Sequence, residues 1–302
     1  MHSPVRLLKI SGDDAQAFLQ GQLTSDVSKL SDTWQLTGYC NPKGRLLCTG
    51  FLWRTDEHFF LLLHAQLFEA VQARLKMYVM RSKVILEECA NKVYVYEYAH
   101  EDANSSQAPP PNVSASAVEQ AFGRYSSDSK LHTLYCANHA IEIEVLDNVS
   151  AGNTQIGLSM QDLCVREGLV LISPALSEKY VPQMVNLELV GGVSFKKGCY
   201  TGQEIVARMH YLGKLKQRLY RYSITDVGDG PGIPIATDSK LILSANANDD
   251  QLDIPVGELI SLNQATSYAL IVARVAHAGQ ELRLADNPSI ILTPTTLPYQ
   301  MG

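Results

Sequence analysis

The stretch Val193-Ser-Phe-Lys-Lys-Gly-Cys-Tyr-Thr-Gly-Gln-Glu-Ile-Val-Ala-Arg208 constrains this chain more than any other. Thr201 and Glu204 stand at capping-box spacing, in which the threonine oxygen accepts from the glutamate N–H and the glutamate accepts from the threonine N–H. Tyr200 and Ile205 stand where a hydrophobic staple would close over the helix start. Gly198 predicts a left-handed turn into that helix. Ile205, Val206, Met209 and Leu212 recur at helical spacing and are predicted to face a core. Gln203 and His210 fall opposite, and Glu204 with Arg208 makes an i, i+4 pair. Helix-start grammar thus explains Gly198, Tyr200, Thr201, Glu204 and Ile205. It leaves Lys196, Lys197, Cys199 and Gln203 as the surplus on which chemistry would rest.

Cys199 lies just ahead of the proposed helix and beside two lysines. A positive helix start and neighbouring cations both favour a thiolate, whereas an inert thiol would be buried. The same helix start, strengthened by lysines, attracts carboxylate or phosphate. From Lys196 to Arg221 there are seven basic residues against the single acid Glu204, in a chain of net charge −6. One basic stripe on an acidic protein suggests a localised anionic ligand, and a solvated basic face is the plainer alternative. RNA binding would call for a broader positive surface, so there is no strong nucleic-acid signal.

A chain of 302 residues has room for about two domains. Apolar content of 46% and charged content of 19% are ordinary for a globular protein. No apolar run approaches the 18 or so residues of a membrane helix, and the start lacks a secretory core, so a cytoplasmic, membrane-free protein is expected. The six cysteines (Cys40, Cys48, Cys89, Cys136, Cys164, Cys199) are scattered, with no Cys-x-x-Cys, so no metal site and free thiols are expected. The phosphate-loop, dinucleotide-binding and nucleophile-elbow motifs are absent.

In chain order, Asp13 to Leu23 reads as a helix capped by Asp13 or Asp14. Thr33 to Cys40, Arg45 to Trp53 and His58 to His64 read as strands, with turns at Asn41–Gly44 and Asp56-Glu57. Gln66 to Val79 has helical spacing. Val84 to Leu86, Val93 to Tyr98, Leu131 to Cys136 and Ala140 to Val145 have strand character. The proline-rich run from His100 to Asn112 reads as a linker, giving a subdomain break near 100–116. Leu158 to Glu167 is a helix stopped by Gly168, and Tyr180 to Leu189 is helical after Pro182. Beyond residue 215, short strand candidates alternate with turns such as Gly228 to Pro234, suggesting a small antiparallel barrel or sandwich. The class is α+β, with a first module over 1–215 and a barrel domain over 216–302.

The run Pro182-Gln183, Asn186-Leu187 and Gly191 through Glu204 to Arg208, centred on Lys-Gly-Cys-Tyr-x-Gly-Gln-Glu, resembles the signature of the YgfZ-type folate-binding proteins. These are relatives of the glycine-cleavage T-protein, an aminomethyltransferase. Phe18 to Asp26, Asn41 to Arg45, Leu75 to Val84, Gly213 to Tyr220 and Pro298-Tyr299 also look like that family, so the likeness runs nearly the whole chain in order. The resemblance implies an aminomethyltransferase-like fold of two ferredoxin-like subdomains plus a C-terminal antiparallel β-barrel. It implies tetrahydrofolate, or a one-carbon-substituted folate, as ligand. It also implies a role in assembling or repairing iron–sulfur enzymes, some of them tRNA-modifying, with the motif cysteine most tied to that role. Those enzymes or their assembly factors would be the partners.

On that resemblance, Cys199 is the functional thiol with Lys197 and Gln203 beside it, and Val5, Met160, Arg166, Glu167, Lys196, Tyr200 and Arg208 are the candidate folate contacts. The chain departs from its relatives in places. Where the T-protein has adjacent aspartates it has Leu47-Cys48-Thr49, which argues against aminomethyl transfer from glycine. Val5 and Met160 stand where some relatives place tryptophans, and the acid before a glycine is shifted to Arg166-Glu167-Gly168. Whether the chain turns over a substrate stays open. A folate-dependent one-carbon transferase using Glu167 is the alternative to an accessory protein, and an RNA-binding module is a third reading.

Overall fold

The computed structural model describes residues 5–30, 34–55, 58–89, 92–98, 130–136, 139–146, 160–225, 240–243, 255–263 and 267–301. The predicted break near 100–116 and the turns at Asp56-Glu57 and Gly228–Pro234 lie outside them.

The first sheet has the order β2-β3-β4-β1-β5. It is built from β1 (Val5–Ser11), β2 (Gln35–Cys40), β3 (Leu46–Arg54), β4 (Phe59–His64) and β5 (Ile85–Cys89), every neighbouring pair antiparallel. Helix α1 (Ala15–Gln22) buries Ala15, Phe18 and Leu19, and α2 (Phe68–Val79) buries Phe68, Val71 and Leu75. Both sets recur at helical spacing and join one apolar core with Leu8, Ile10, Leu61 and Leu63 of the sheet. Each fully buried aliphatic or aromatic side chain contributes about 1.5–3 kcal/mol to holding these layers together. Asp14 does not cap α1 with its side chain. Its Oδ2 accepts from the Lys83 amide at 2.7 Å and so ties the helix start to the connection after α2.

A second, three-stranded sheet has the order β6-β8-β7, from β6 (Lys92–Tyr98), β7 (Lys130–Cys136) and β8 (His139–Leu146). Helix α3 (Met160–Glu167) follows and packs against two strands of a closed barrel, β11 (Gly257–Asn263) and β12 (Tyr268–Arg274). The barrel has the order β10-β11-β12-β9-β14-β13. Its strands are β9 (Gln217–Thr225), β10 (Lys240–Leu243), β11 (Gly257–Asn263), β12 (Tyr268–Arg274), β13 (Leu282–Leu284) and β14 (Ile291–Thr295). Closure removes the exposed sheet edges that short strands would otherwise leave.

The segment after Pro182 departs from expectation. Only Pro182–Val185 coils, as a 3-10 turn that ends at Asn186 with φ 58. Asn186 is fully buried there, its side-chain amide donating to the Leu219 carbonyl of β9 at 3.0 Å. The left-handed Asn186, a residue type that adopts this conformation readily, ends the turn, and the bond to Leu219 holds it there.

Candidate functional site

The Cys199 segment is fixed before it reaches its helix. Thr24 Oγ1 donates to the Gly192 carbonyl at 2.6 Å and the Ser194 amide donates to the Thr24 carbonyl at 2.9 Å. Lys197 Nζ then donates to the carbonyls of Leu23 and Ser25 at 2.7 and 2.8 Å. Its amine also lies 5.2 Å from the Tyr200 ring centroid, within cation–π range. Burial pushes the Lys197 amine down to about 8, with nearby Asp26 pulling the other way. Asp26 itself is held down at about 2, chiefly by the Ser28 hydroxyl. Tyr200 is buried, and its phenol is pushed well up by burial. Cys199, between these two inward-turned residues, is exposed. Lys196 is exposed on the same loop and Gln203 is half-buried.

The helix start differs from the capping box. Helix α4 runs Gln203–Leu212 with Gly202 as N-cap, at φ 82, and no side chain caps it. A Cβ on Gly202 would meet the Asn41 carbonyl oxygen at 2.4 Å and the Gly44 Cα at 2.9 Å. The helix therefore begins where glycine lets the chain press onto the Asn41–Gly44 turn, a left-handed position that other residues adopt only with strain. Gly198 lies outside the left-handed region, with open space around it. The predicted core face is corrected as well. Val206 is buried but Ile205 and Leu212 are exposed, and Glu204 and Arg208, both exposed, form no ion pair among the described residues. Gln183 anchors the inner side by donating to the Val206 carbonyl at 2.7 Å, and His210 stacks on Phe195 at 3.8 Å between ring centroids.

The remaining candidates gather elsewhere. Val5 and Met160 fall in one buried cluster with Leu7, Trp34, Phe51, Trp53 and Cys164. Trp34 and Trp53 are in contact, their ring centroids 3.6 Å apart. Sequence reasoning passed over this pair, although they are the two tryptophans of the chain. Glu167 lies at the end of α3, 3% exposed, with Arg166 Nε 2.9 Å from its Oε1. Arg208 sits on the outward side of α4. The structure thus brings Val5 with Met160, Arg166 with Glu167, and Lys197 with Tyr200 and Cys199, while Lys196 and Arg208 point to solvent.

The basic stripe is partly structural. Arg218 pairs with Glu188 at 2.8 Å and Asn186 at 2.9 Å, and Arg221 donates to the carbonyls of Arg166 and Thr296. Thr49 donates to the Val170 carbonyl at 2.5 Å and accepts from the Ile172 amide at 2.9 Å. Its neighbour Cys48 is buried, its thiol pushed up to about 12. Among the described residues no helix is long and apolar enough to cross a membrane, and no group of three His, Cys, Asp or Glu is placed to hold a metal.

No family model matches the chain. It is similar to a tRNA-modifying protein YgfZ of Klebsiella pneumoniae (strain 342), 31% identical over 234 residues that cover 72% of this chain and 69% of that protein. It is similar to a tRNA-modifying protein YgfZ of Escherichia coli O157:H7 (strain EC4115 / EHEC), 30% identical over 221 residues covering 71% and 68%. Its fold is that of the glycine cleavage system aminomethyltransferase T from Bartonella henselae, with a TM-score of 0.67 at 16% identity, over 98% of this chain and 84% of the other. The sequence likeness along more than two thirds of both YgfZ proteins establishes that the chain belongs to the YgfZ family.

Proposed function

We propose that this protein is a tetrahydrofolate-binding accessory factor for iron–sulfur enzymes, including tRNA-modifying ones, acting through Cys199. The observation that carries the reading is the contrast within one loop. Lys197 and Tyr200 are turned inward and held, while the thiol between them is presented to solvent. An accessible thiol on a fixed loop suits exchange with a partner protein, and an exposed cysteine otherwise invites unwanted oxidation. We read the first 215 residues as a two-lobed folate module with ferredoxin-like halves, and the protein as cytoplasmic.

The side chains suit a folate. We read the buried cluster of Val5, Met160 and Trp34 as the apolar and aromatic side of a folate site, and the buried Glu167 carboxyl as its acceptor for the amino-substituted edge of a pterin. Arg166 Nε, 2.9 Å from Oε1, orients that carboxyl group. Bound tetrahydrofolate would supply a carrier for a one-carbon unit. Glu167 also favours a second reading, a one-carbon transferase with that carboxylate as proton acceptor.

Both tryptophans lie in the Val5–Met160 cluster, so titration with 5-formyltetrahydrofolate should quench the intrinsic fluorescence. Absence of quenching together with no binding by calorimetry would remove the folate reading. Cys199→Ala should abolish support of iron–sulfur enzyme activity in cells lacking the wild-type protein, and full complementation would remove the role given to the thiol. Steady turnover of a folate and an amine by the purified protein would favour the transferase instead.

A further inference from the structure

The outward side of α4 carries apolar residues where a soluble helix ordinarily carries polar ones. At 3.6 residues per turn, Glu204, Ile205, Arg208, Tyr211 and Leu212 share one side of the helix. Ile205 is 36% exposed, Tyr211 67% and Leu212 82%. The helix beneath them is held, through Gln183 to the Val206 carbonyl, through His210 on Phe195, and through the Gly202 approach to the Asn41–Gly44 turn. On the same helix and the segments that flank it, Lys196, Arg208, Lys214 and Lys216 are exposed cations, against the one exposed acid Glu204. The other three cations of the stripe are committed inside the protein, Lys197 to the Leu23 and Ser25 carbonyls, Arg218 to Glu188, and Arg221 to the Arg166 carbonyl.

We propose that this face of α4 docks an acidic protein surface whose apolar groove receives Ile205, Tyr211 and Leu212, and that this partner is the iron–sulfur client. The second half rests on the function proposed above. An apolar centre with a charged rim is the usual anatomy of a protein contact, and an exposed helix stripe suits a groove. Of the three, Tyr211 alone could stack on a base, while aliphatic Ile205 and Leu212 could not, so RNA fits less well. A second copy of the chain would bring four cations against four, which like-charge repulsion disfavours. Docking here would also bring the partner to the loop that presents Cys199.

The test places a photo-crosslinking phenylalanine analogue at Leu212 of the full chain in living cells, with products identified by mass spectrometry. The expected result is a crosslink to an iron–sulfur protein through an acidic peptide, reduced at least tenfold by Arg208→Glu with Lys214→Glu. Crosslinks only to RNA, to a second copy or to proteins of another class would overturn the proposal. So would no crosslink at all, or one indifferent to the charge reversal. In parallel, Leu212→Asp should reduce client enzyme activity in cells at least fivefold while leaving folate quenching of the purified protein unchanged. If Leu212→Asp complements fully while Cys199→Ala does not, the docking face falls and the functional reading stands. If folate does not bind and Cys199→Ala complements, the functional reading falls instead.

Discussion

Lys197 Nζ donates to the carbonyl oxygen of Leu23 at 2.7 Å, across 174 positions of sequence. With the companion bond to Ser25 at 2.8 Å, it ties the loop bearing Cys199 to the segment just after α1. A lysine read from sequence as a charge beside the thiol is thus a tether facing away from solvent.

That tether has a pH signature. In the unfolded chain the amine keeps its proton up to its ordinary 10.5, and in the folded protein burial brings release at about 8. Between those values the unfolded state binds more protons, so this residue makes folding stability rise as pH rises. A tenfold change in proton affinity is worth about 1.4 kcal/mol, and partial solvent screening reduces the total here to about 1–2 kcal/mol. Urea unfolding from pH 7.5 to 10 should show wild type gaining that amount relative to Lys197→Met. Parallel curves for the two proteins would refute the assignment.

Gly202 and Gly198 should respond oppositely to alanine. Gly202→Ala places a Cβ 2.4 Å from the Asn41 carbonyl oxygen at a φ of 82. Left-handed strain and overpacking against backbone together cost about 2–4 kcal/mol. Gly198→Ala meets open space and should change stability by less than about 0.5 kcal/mol. Denaturation midpoints of the two variants check the contrast, and equal effects would return the turn to Gly198.

Among the five cysteines whose side chains the structure describes, thiol labelling should favour one. Cys40, Cys48 and Cys164 are buried and their thiols pushed up, the latter two to about 12, so each is slow as a nucleophile at neutral pH. Cys199 is exposed and Cys89 half-buried. Brief treatment with iodoacetamide at pH 7.5, followed by peptide mapping, should modify Cys199 ahead of the other four, and Cys199→Ser should remove that modification. Faster labelling of Cys40, Cys48 or Cys164 would contradict the packing.

The strands of the first sheet were legible because their apolar runs are bounded by turn residues. Leu46 to Trp53 and Phe59 to His64 carry little that suits a helix face. The α4 region was misread for a physical reason. Apolar spacing at Ile205, Val206, Met209 and Leu212 identifies a helix but not which side meets the core, and here only Val206 is buried. The capping box failed because its spacing is a local signal, whereas Gly202 answers to the Asn41–Gly44 turn some 160 positions away. The basic stripe misled in the same way, since Lys197, Arg218 and Arg221 find partners distant in sequence. The Trp34–Trp53 contact joins the residue before β2 to a strand of the same sheet, and no periodicity announces it.

Arg218 and Glu188 form the last testable pair. Arg218 Nη2 lies 2.8 Å from Glu188 Oε1, and the Glu188 side chain is only 7% exposed. Burial pushes its carboxyl up and Arg218 draws it back. Arg218→Met would leave that carboxylate buried without its cation, which costs about 3–5 kcal/mol. The carboxyl should then hold its proton to higher pH in the folded state than in the unfolded one. Its protonated form escapes the burial penalty, so the deficit shrinks as pH falls toward the ordinary carboxyl range. Glu188→Gln in the Arg218→Met background removes the charge and should recover most of the loss. Unfolding of the three proteins at pH 5 and pH 8 measures both effects. A deficit that persists at pH 5 and survives Glu188→Gln would mean that Arg218 acts through its bond to Asn186, 2.9 Å away, rather than by neutralising Glu188.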